Sequence, residues 1–96
     1  MERNNQIEKI LVSMTIERSL IDVGGTDLHE SVENWLYSEY HYRFSDCLDH
    51  PESLQKVLKQ RCDDKYDMVV NKIKIFLGEM SEREPFLEFT KRINLD

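Results

Sequence analysis

The apolar residues at the start of the chain recur at the spacing of an α-helix, and this pattern constrains the fold more than any other feature. Charged residues lie between them, as in an amphipathic helix. A second apolar set, Val12, Ile16 and Leu20, widens this surface, so the predicted helix has two apolar sides to cover. The residues with helical spacing are Ile7, Ile10, Leu11, Met14 and Ile21. Gly24-Gly25 predicts the end of the helix, because glycine takes the left-handed C-cap conformation at little steric cost.

Further helices are predicted along the rest of the chain. One covers about residues 28–40, and another begins at His50 or Pro51, with Asp49 or His50 as its N-cap, since proline suits the first helical position. A third ends at Gly78, and a short last helix begins at Ser81 or Pro85. We therefore predict an all-α fold, a compact bundle of about five short helices.

Residues 40–44 are the exception to the helical pattern. From Tyr40 to Phe44, apolar and polar side chains alternate, which is typical of a β-strand. No partner strand is evident in the sequence. We therefore predict one short extended segment or linker at this place.

The length and charge of the chain exclude several classes of protein. Its 96 residues are enough for one modest core, so we predict a single helical domain over residues 1–96. The net charge of -6 opposes nucleic-acid binding, because association with phosphates needs Lys and Arg. No run approaches the ~20 apolar residues that cross a bilayer. Two cysteines and no apolar signal segment favour a cytoplasmic protein with reduced thiols.

One short stretch contains candidate metal ligands. Cys47-x-x-His50 places a thiol and an imidazole at chelating spacing, and His41 and Cys62 are candidates to complete a tetrahedral zinc site. Zinc sites usually present two closely spaced pairs, whereas this chain has one. The alternative is that Cys47 packs as a small apolar residue and that His50 caps a helix. We assign no metal site, and keep a metal- or redox-responsive regulatory domain as an alternative function.

No set of residues predicts catalysis. A Cys47–His50 pair before a helix start has the composition of an activated thiol, but no oxyanion hole or substrate site is identifiable. The aspartates between residues 46 and 67 lack the spacing of a calcium-binding loop. The segment Val23-Gly24-Gly25-Thr26 lacks the lysine of a phosphate-binding loop. We predict that the chain is not an enzyme and has no catalytic residue, cofactor or small-molecule substrate.

The stretch SDCLDHPESLQKVL, residues 45–58, followed by Tyr66-x-x-Val69, resembles a family of small archaeal output domains of signal-transduction proteins, named for Nitrosopumilus-type archaea. The pattern Ile16-Glu17-x-x-Leu20 is similar to the first helix of that family. The resemblance covers about residues 7–77 and leaves residues 79–96 as a C-terminal helical extension. It implies a helical signalling module with no established catalytic residues to transfer.

Together these observations predict a noncatalytic helical output or protein-interaction module in archaeal signal transduction or regulation. A chain of this size does not easily cover both apolar sides of its first helix. We therefore expect a protein partner or a second copy of the chain on the first or the last helix. A further alternative is an acidic inhibitor that mimics nucleic acid, since 19 Asp and Glu residues face 13 Lys and Arg.

Overall fold

The computed structural model describes residues 6–94, and these residues form four α-helices and no β-strand. The prediction of an all-α bundle is confirmed. The helices are α1 (Gln6–Tyr40), α2 (Pro51–Cys62), α3 (Tyr66–Leu77) and α4 (Phe86–Ile93), and short 3₁₀ turns cover Phe44–Leu48, Asp63–Lys65 and Gly78–Glu82. None of the helices within residues 6–94 combines the length and the apolar character that a bilayer span requires.

A glycine pair divides α1 into two helical halves, at the place where the sequence predicts the end of the first helix. The backbone of Gly25 has φ 74° and ψ -171°, whereas the rest of α1 is helical on both sides. Residues with a Cβ rarely take this conformation, so Gly25 permits the change of direction. Gly24 is also required, because a Cβ on it would lie 2.7 Å from the Cβ of Leu28. The two helices predicted around the glycines are therefore the N-terminal and C-terminal halves of one kinked helix.

The two apolar sides predicted for the first helix differ in burial. Val12, Ile16 and Leu20 are fully buried and form part of the core. These residues share one core with buried residues of α2, α3 and the 3₁₀ turn Phe44–Leu48, and all three elements pack against α1. The opposite side of the N-terminal half of α1 faces outward, which determines where a partner can bind.

Pro51 is the first residue of α2, as the sequence predicts. His50 precedes it at the N-cap position, but its side chain makes no capping hydrogen bond. Its imidazole stacks on the ring of Tyr42, with the ring centroids 4.4 Å apart. The hypothesis that His50 caps α2 is therefore correct for its position and wrong for its side chain. Leu54 and Leu58 of α2 are fully buried, so this helix is anchored in the core.

The last helix packs into the same core as the other three. Phe86, Phe89 and Ile93 of α4 are all buried. The hydroxyl of Tyr66, at the start of α3, donates a hydrogen bond to the carbonyl oxygen of Ile93. The segment expected to be a C-terminal extension therefore supplies part of the core.

Residues 41–43 form a short linker between α1 and the first 3₁₀ turn, as predicted, with Arg43 in an extended conformation and no strand. Tyr40 is the last residue of α1, His41 has a φ of 61°, and Phe44 begins the first 3₁₀ turn. The backbone N–H of Arg43 donates to the carboxylate of Asp46 at 2.9 Å, which fixes the start of that turn. Arg43 is exposed and Phe44 is buried, so the alternating side chains differ in burial although this segment pairs with no second strand.

Candidate functional site

Four large apolar side chains are exposed along the N-terminal half of α1. The exposed fractions are 72% for Ile7, 47% for Ile10, 60% for Met14 and 45% for Ile21. Ile7, Met14 and Ile21 are seven residues apart, close to two helical turns, so they form a line along the helix. We call these four residues the α1 stripe. An exposed apolar line of this kind is typical of a protein-binding surface.

A groove lies beside the α1 stripe, between α1 and α3, and has a volume of about 660 Å³. Leu11, Met14 and Ile21 line it from α1, and the half-buried ring of Phe76 lines it from α3. The charged residues that border the groove are Glu17, Arg18 and Asp22. An apolar groove with a few charged groups at its border suits a helix or side chain of a partner protein.

The charged side chains at the groove belong to contacts between α1 and α3. The Nζ atom of Lys72 lies 2.7 Å from Oδ2 of Asp22, and this hydrogen-bonded pairing lowers the pKa of Asp22 below its usual range. The guanidinium of Arg18 lies 4.6 Å from the centroid of the Phe76 ring. Within residues 6–94, neither Glu17 nor Arg18 forms an ion pair. Within these residues Glu17 therefore has no ion-pair partner, whereas Arg18 contacts the Phe76 ring and its charge contributes to the lowered pKa of Asp22.

The four candidate metal ligands do not form one site. His41 is exposed directly after α1, and His50 is stacked on an aromatic ring. Cys47 and Cys62 are free thiols, and both are buried. Among the residues that the structure describes, no three His, Cys, Asp or Glu side chains are placed to hold a metal ion.

Burial makes both thiols poor ligands and poor nucleophiles. Desolvation, with a smaller effect of the Asp63 carboxylate, raises the pKa of Cys62 to about 11. Desolvation and the Asp46 carboxylate raise the pKa of Cys47 far above its usual range. The thiolate is the form that binds metal or attacks an electrophile. Both groups remain protonated at neutral pH, so the geometry gives no support to the metal- or redox-responsive alternative.

The outward face of α4 is charged, in contrast to that of α1. Phe86, Phe89 and Ile93 are in the core, Leu87 is half-buried, and the exposed residues of α4 are Glu88, Lys91 and Arg92. Arg92 contacts Glu88 at 3.0 Å and Glu52 of α2 at 3.3 Å. These exposed ion pairs contribute little to stability or to affinity. Of the two helices expected to meet a partner, the geometry favours α1.

Sequence reasoning identified the two apolar sides of α1 but not the groove. The helical spacing of α3 gives no sign that Phe76 lies apart from the fully buried Ile73 and meets Arg18. A local signal was present in α1 itself, where Glu17 and Arg18 lie beside the exposed apolar line and have charges of opposite sign.

Comparison with known proteins gives no match. No protein-family model matches the chain, and no curated protein or solved structure is significantly similar to it. The resemblance of residues 45–58 to the archaeal output domains therefore stays a prediction.

Proposed function

We propose that this chain is a noncatalytic helical module that binds a partner protein through the α1 stripe and the adjacent groove. The observation that carries the proposal is the exposure of four large apolar side chains on a helix whose opposite side forms the core. Removing apolar surface from water stabilises a complex by about 25 cal/mol per Å². The α1 stripe therefore favours association with a complementary apolar surface.

The geometry suits a partner that presents a helix. Ile7, Met14 and Ile21 have the seven-residue repeat of helices that pack side by side, knobs into holes. The groove beside Phe76 provides space for side chains from the second helix. An amphipathic helix on an apolar groove is a recurring mode of protein recognition.

The resemblance to archaeal output domains adds signal transduction or regulation as the setting of this interaction. In such a setting the module acts by contact with another protein and not by a reaction. The proposed setting thus comes from the resemblance of residues 45–58, and the proposed contact surface comes from the exposed residues of α1.

Site-specific photocrosslinking tests the proposal. A photoreactive amino acid replaces Met14, which is 60% exposed, in the full chain, and the protein is irradiated in a native cell lysate. A matched chain carries the same amino acid in place of Met68, a 53% exposed methionine of α3 that does not line the groove. We expect protein adducts at position 14 and none at position 68.

Two variants show whether the adduct depends on the α1 stripe. Ile7→Glu in the chain labelled at position 14 should remove the adduct, whereas Met68→Glu in the same chain should leave it. Circular dichroism checks that both variants are folded, as expected for changes at exposed positions. Equal labelling at positions 14 and 68, or none at position 14, overturns the proposal.

A further inference from the structure

We infer that the partner of the α1 stripe is a second copy of this chain, with the two α1 helices packed in parallel about a two-fold axis. This inference rests on the proposed function and adds the identity of the partner and the orientation of the contact. It follows from the order in which apolar and charged side chains lie around α1.

The exposed face of α1 has a central line and two different flanks. The central line consists of Ile7, Met14 and Ile21. Successive residues are rotated by about 100° around an α-helix. Ile10 and Glu17 therefore lie on one flank of the line, and Leu11 and Arg18 lie on the other. Arg18 contacts Phe76, so the second flank is the one toward α3.

A parallel two-fold arrangement places each flank of one helix against the opposite flank of the other. Glu17 of each copy then faces Arg18 of the second copy, at nearly the same height, because adjacent residues differ by about 1.5 Å along the axis. Ile10 of each copy faces Leu11 of the second copy. The interface thus joins apolar with apolar groups and negative with positive charges, as a self-complementary contact requires.

An antiparallel arrangement of the same helices lacks this complementarity. Centred on Met14, it places like flanks together, so that Glu17 of each copy faces Ile10 of the second copy and Arg18 faces Leu11. Burying a charged group against an apolar side chain without a partner opposes association. The charge pattern of α1 therefore selects the parallel orientation.

Glu17 and Arg18 are available to form ion pairs between the two copies. Neither forms an ion pair within residues 6–94, and Asp22 is already held by Lys72 at 2.7 Å. The guanidinium of Arg18 lies over the Phe76 ring, which leaves its N–H groups for a carboxylate of the second copy. Because the ring already restrains Arg18, less side-chain freedom is lost when the interface forms.

Charge reversal tests the pairing. Glu17→Lys gives two positive neighbours on α1, and Arg18→Glu gives two negative neighbours. We expect each variant alone to self-associate at least tenfold more weakly than the wild type. An equimolar mixture should form heterodimers, because opposite charges then face each other on both flanks. The double variant E17K/R18E should form homodimers again, and Glu30→Lys, at an exposed position of the C-terminal half of α1, serves as the control.

Single cysteines test the orientation. In the parallel arrangement, Ile7→Cys and Ile21→Cys should each form a disulfide between identical positions of the two copies under mild oxidation. In an antiparallel pair centred on Met14, identical positions would lie about 21 Å apart along the helix, and neither disulfide would form. Ile75→Cys on α3, at a 65% exposed position, is the matched control and should not crosslink. The native thiols are buried and add little background.

Sedimentation velocity and non-reducing electrophoresis read out these experiments. A wild-type chain that stays monomeric at millimolar concentration, or an equimolar mixture of variants that stays monomeric, overturns the inference. Failure of both cysteine variants to crosslink overturns the parallel orientation. A photocrosslink from position 14 to a different protein, in place of a second copy, overturns the inference and leaves the proposed function intact. Absence of any adduct at position 14 overturns both the inference and the proposed function.

Discussion

The guanidinium of Arg18 lies 4.6 Å from the centroid of the Phe76 ring and joins the exposed half of α1 to α3. Lys72 lies 5.8 Å from the same ring and also pairs with Asp22. One half-buried aromatic ring therefore orients two cations, one of which is neutralised by a carboxylate from α1. Arg18, Asp22 and Phe76 of this cluster line the groove beside the α1 stripe. A change that destabilises the cluster should therefore also alter the surface that a partner meets.

Replacing the aromatic ring should weaken the contact between α1 and α3. We expect Phe76→Leu to lower the free energy of unfolding by about 1 kcal/mol, because it removes the cation–π contact and some of the packing. Phe76→Tyr keeps the ring and should stay close to the wild type. Urea unfolding monitored by circular dichroism measures both. An unchanged midpoint for Phe76→Leu would show that the ring contributes no stability.

The Asp22–Lys72 pair should make the free energy of unfolding depend on pH in the acidic range. The pairing lowers the folded-state pKa of Asp22 below its usual value of 3.8. A group of this kind stabilises the fold above its unfolded pKa, and the contribution disappears as the pH falls through the folded pKa. The stability difference between the wild type and Asp22→Asn should therefore be constant near neutral pH and shrink as the pH falls below 3.8.

Urea unfolding at a series of pH values measures this difference. Lys72→Met should cause a similar loss, and the double variant should show little further loss, since both changes remove the same pair. Added salt should reduce the difference at neutral pH, because the pair is exposed to solvent. A difference that persists undiminished in strong acid would contradict the role assigned to Lys72.

Both cysteines should resist alkylation in the folded protein. Raising the pKa of Cys62 from 9.0 to about 11 reduces its thiolate fraction at pH 8 by about a hundredfold, and burial restricts access as well. Iodoacetamide labelling followed by mass spectrometry should show slow modification of the native chain and fast modification in urea. For the same reason, added zinc should not raise the melting temperature. Rapid labelling of native Cys47 or Cys62 would restore the redox alternative.

A side chain at Gly25 should destabilise the kink of α1. The backbone conformation there, φ 74° and ψ -171°, is essentially confined to glycine. We expect Gly25→Ala to cost about 1–3 kcal/mol, measured as a lower melting temperature. Thr26→Ala, at the adjacent exposed position, should change stability by less than about 0.5 kcal/mol. An unchanged melting temperature for Gly25→Ala would show that α1 can be straight or bend differently without loss of stability.

The starts and ends of most helices were predictable because their signals are local. Pro51 begins α2 because its ring suits the first helical position, and Gly78 follows α3 with a positive φ of 60°. The alternation in residues 40–44 predicts an extended segment or linker, and residues 41–43 are such a linker. The positive φ of His41, 61°, and the 3₁₀ turn that buries Phe44 were not predictable from alternation. The helical backbone is interrupted at Gly25, where the glycine pair predicts the end of the first helix, and the following helix ends at Tyr40 as predicted.

The sequence by itself determined an all-α fold, the approximate helices and the two apolar sides of α1, because helical periodicity is a property of neighbouring residues. The tertiary structure alone decided which side is exposed, since Val12 and Ile16 join the core that α1 shares with the other helices, whereas Met14 stays outside it. It also decided that Cys47 is buried and that Arg18 meets Phe76. These outcomes depend on contacts between residues far apart in the chain. The arrangement of the helices that forms is the one that buries the most favourable total surface, which no local pattern specifies.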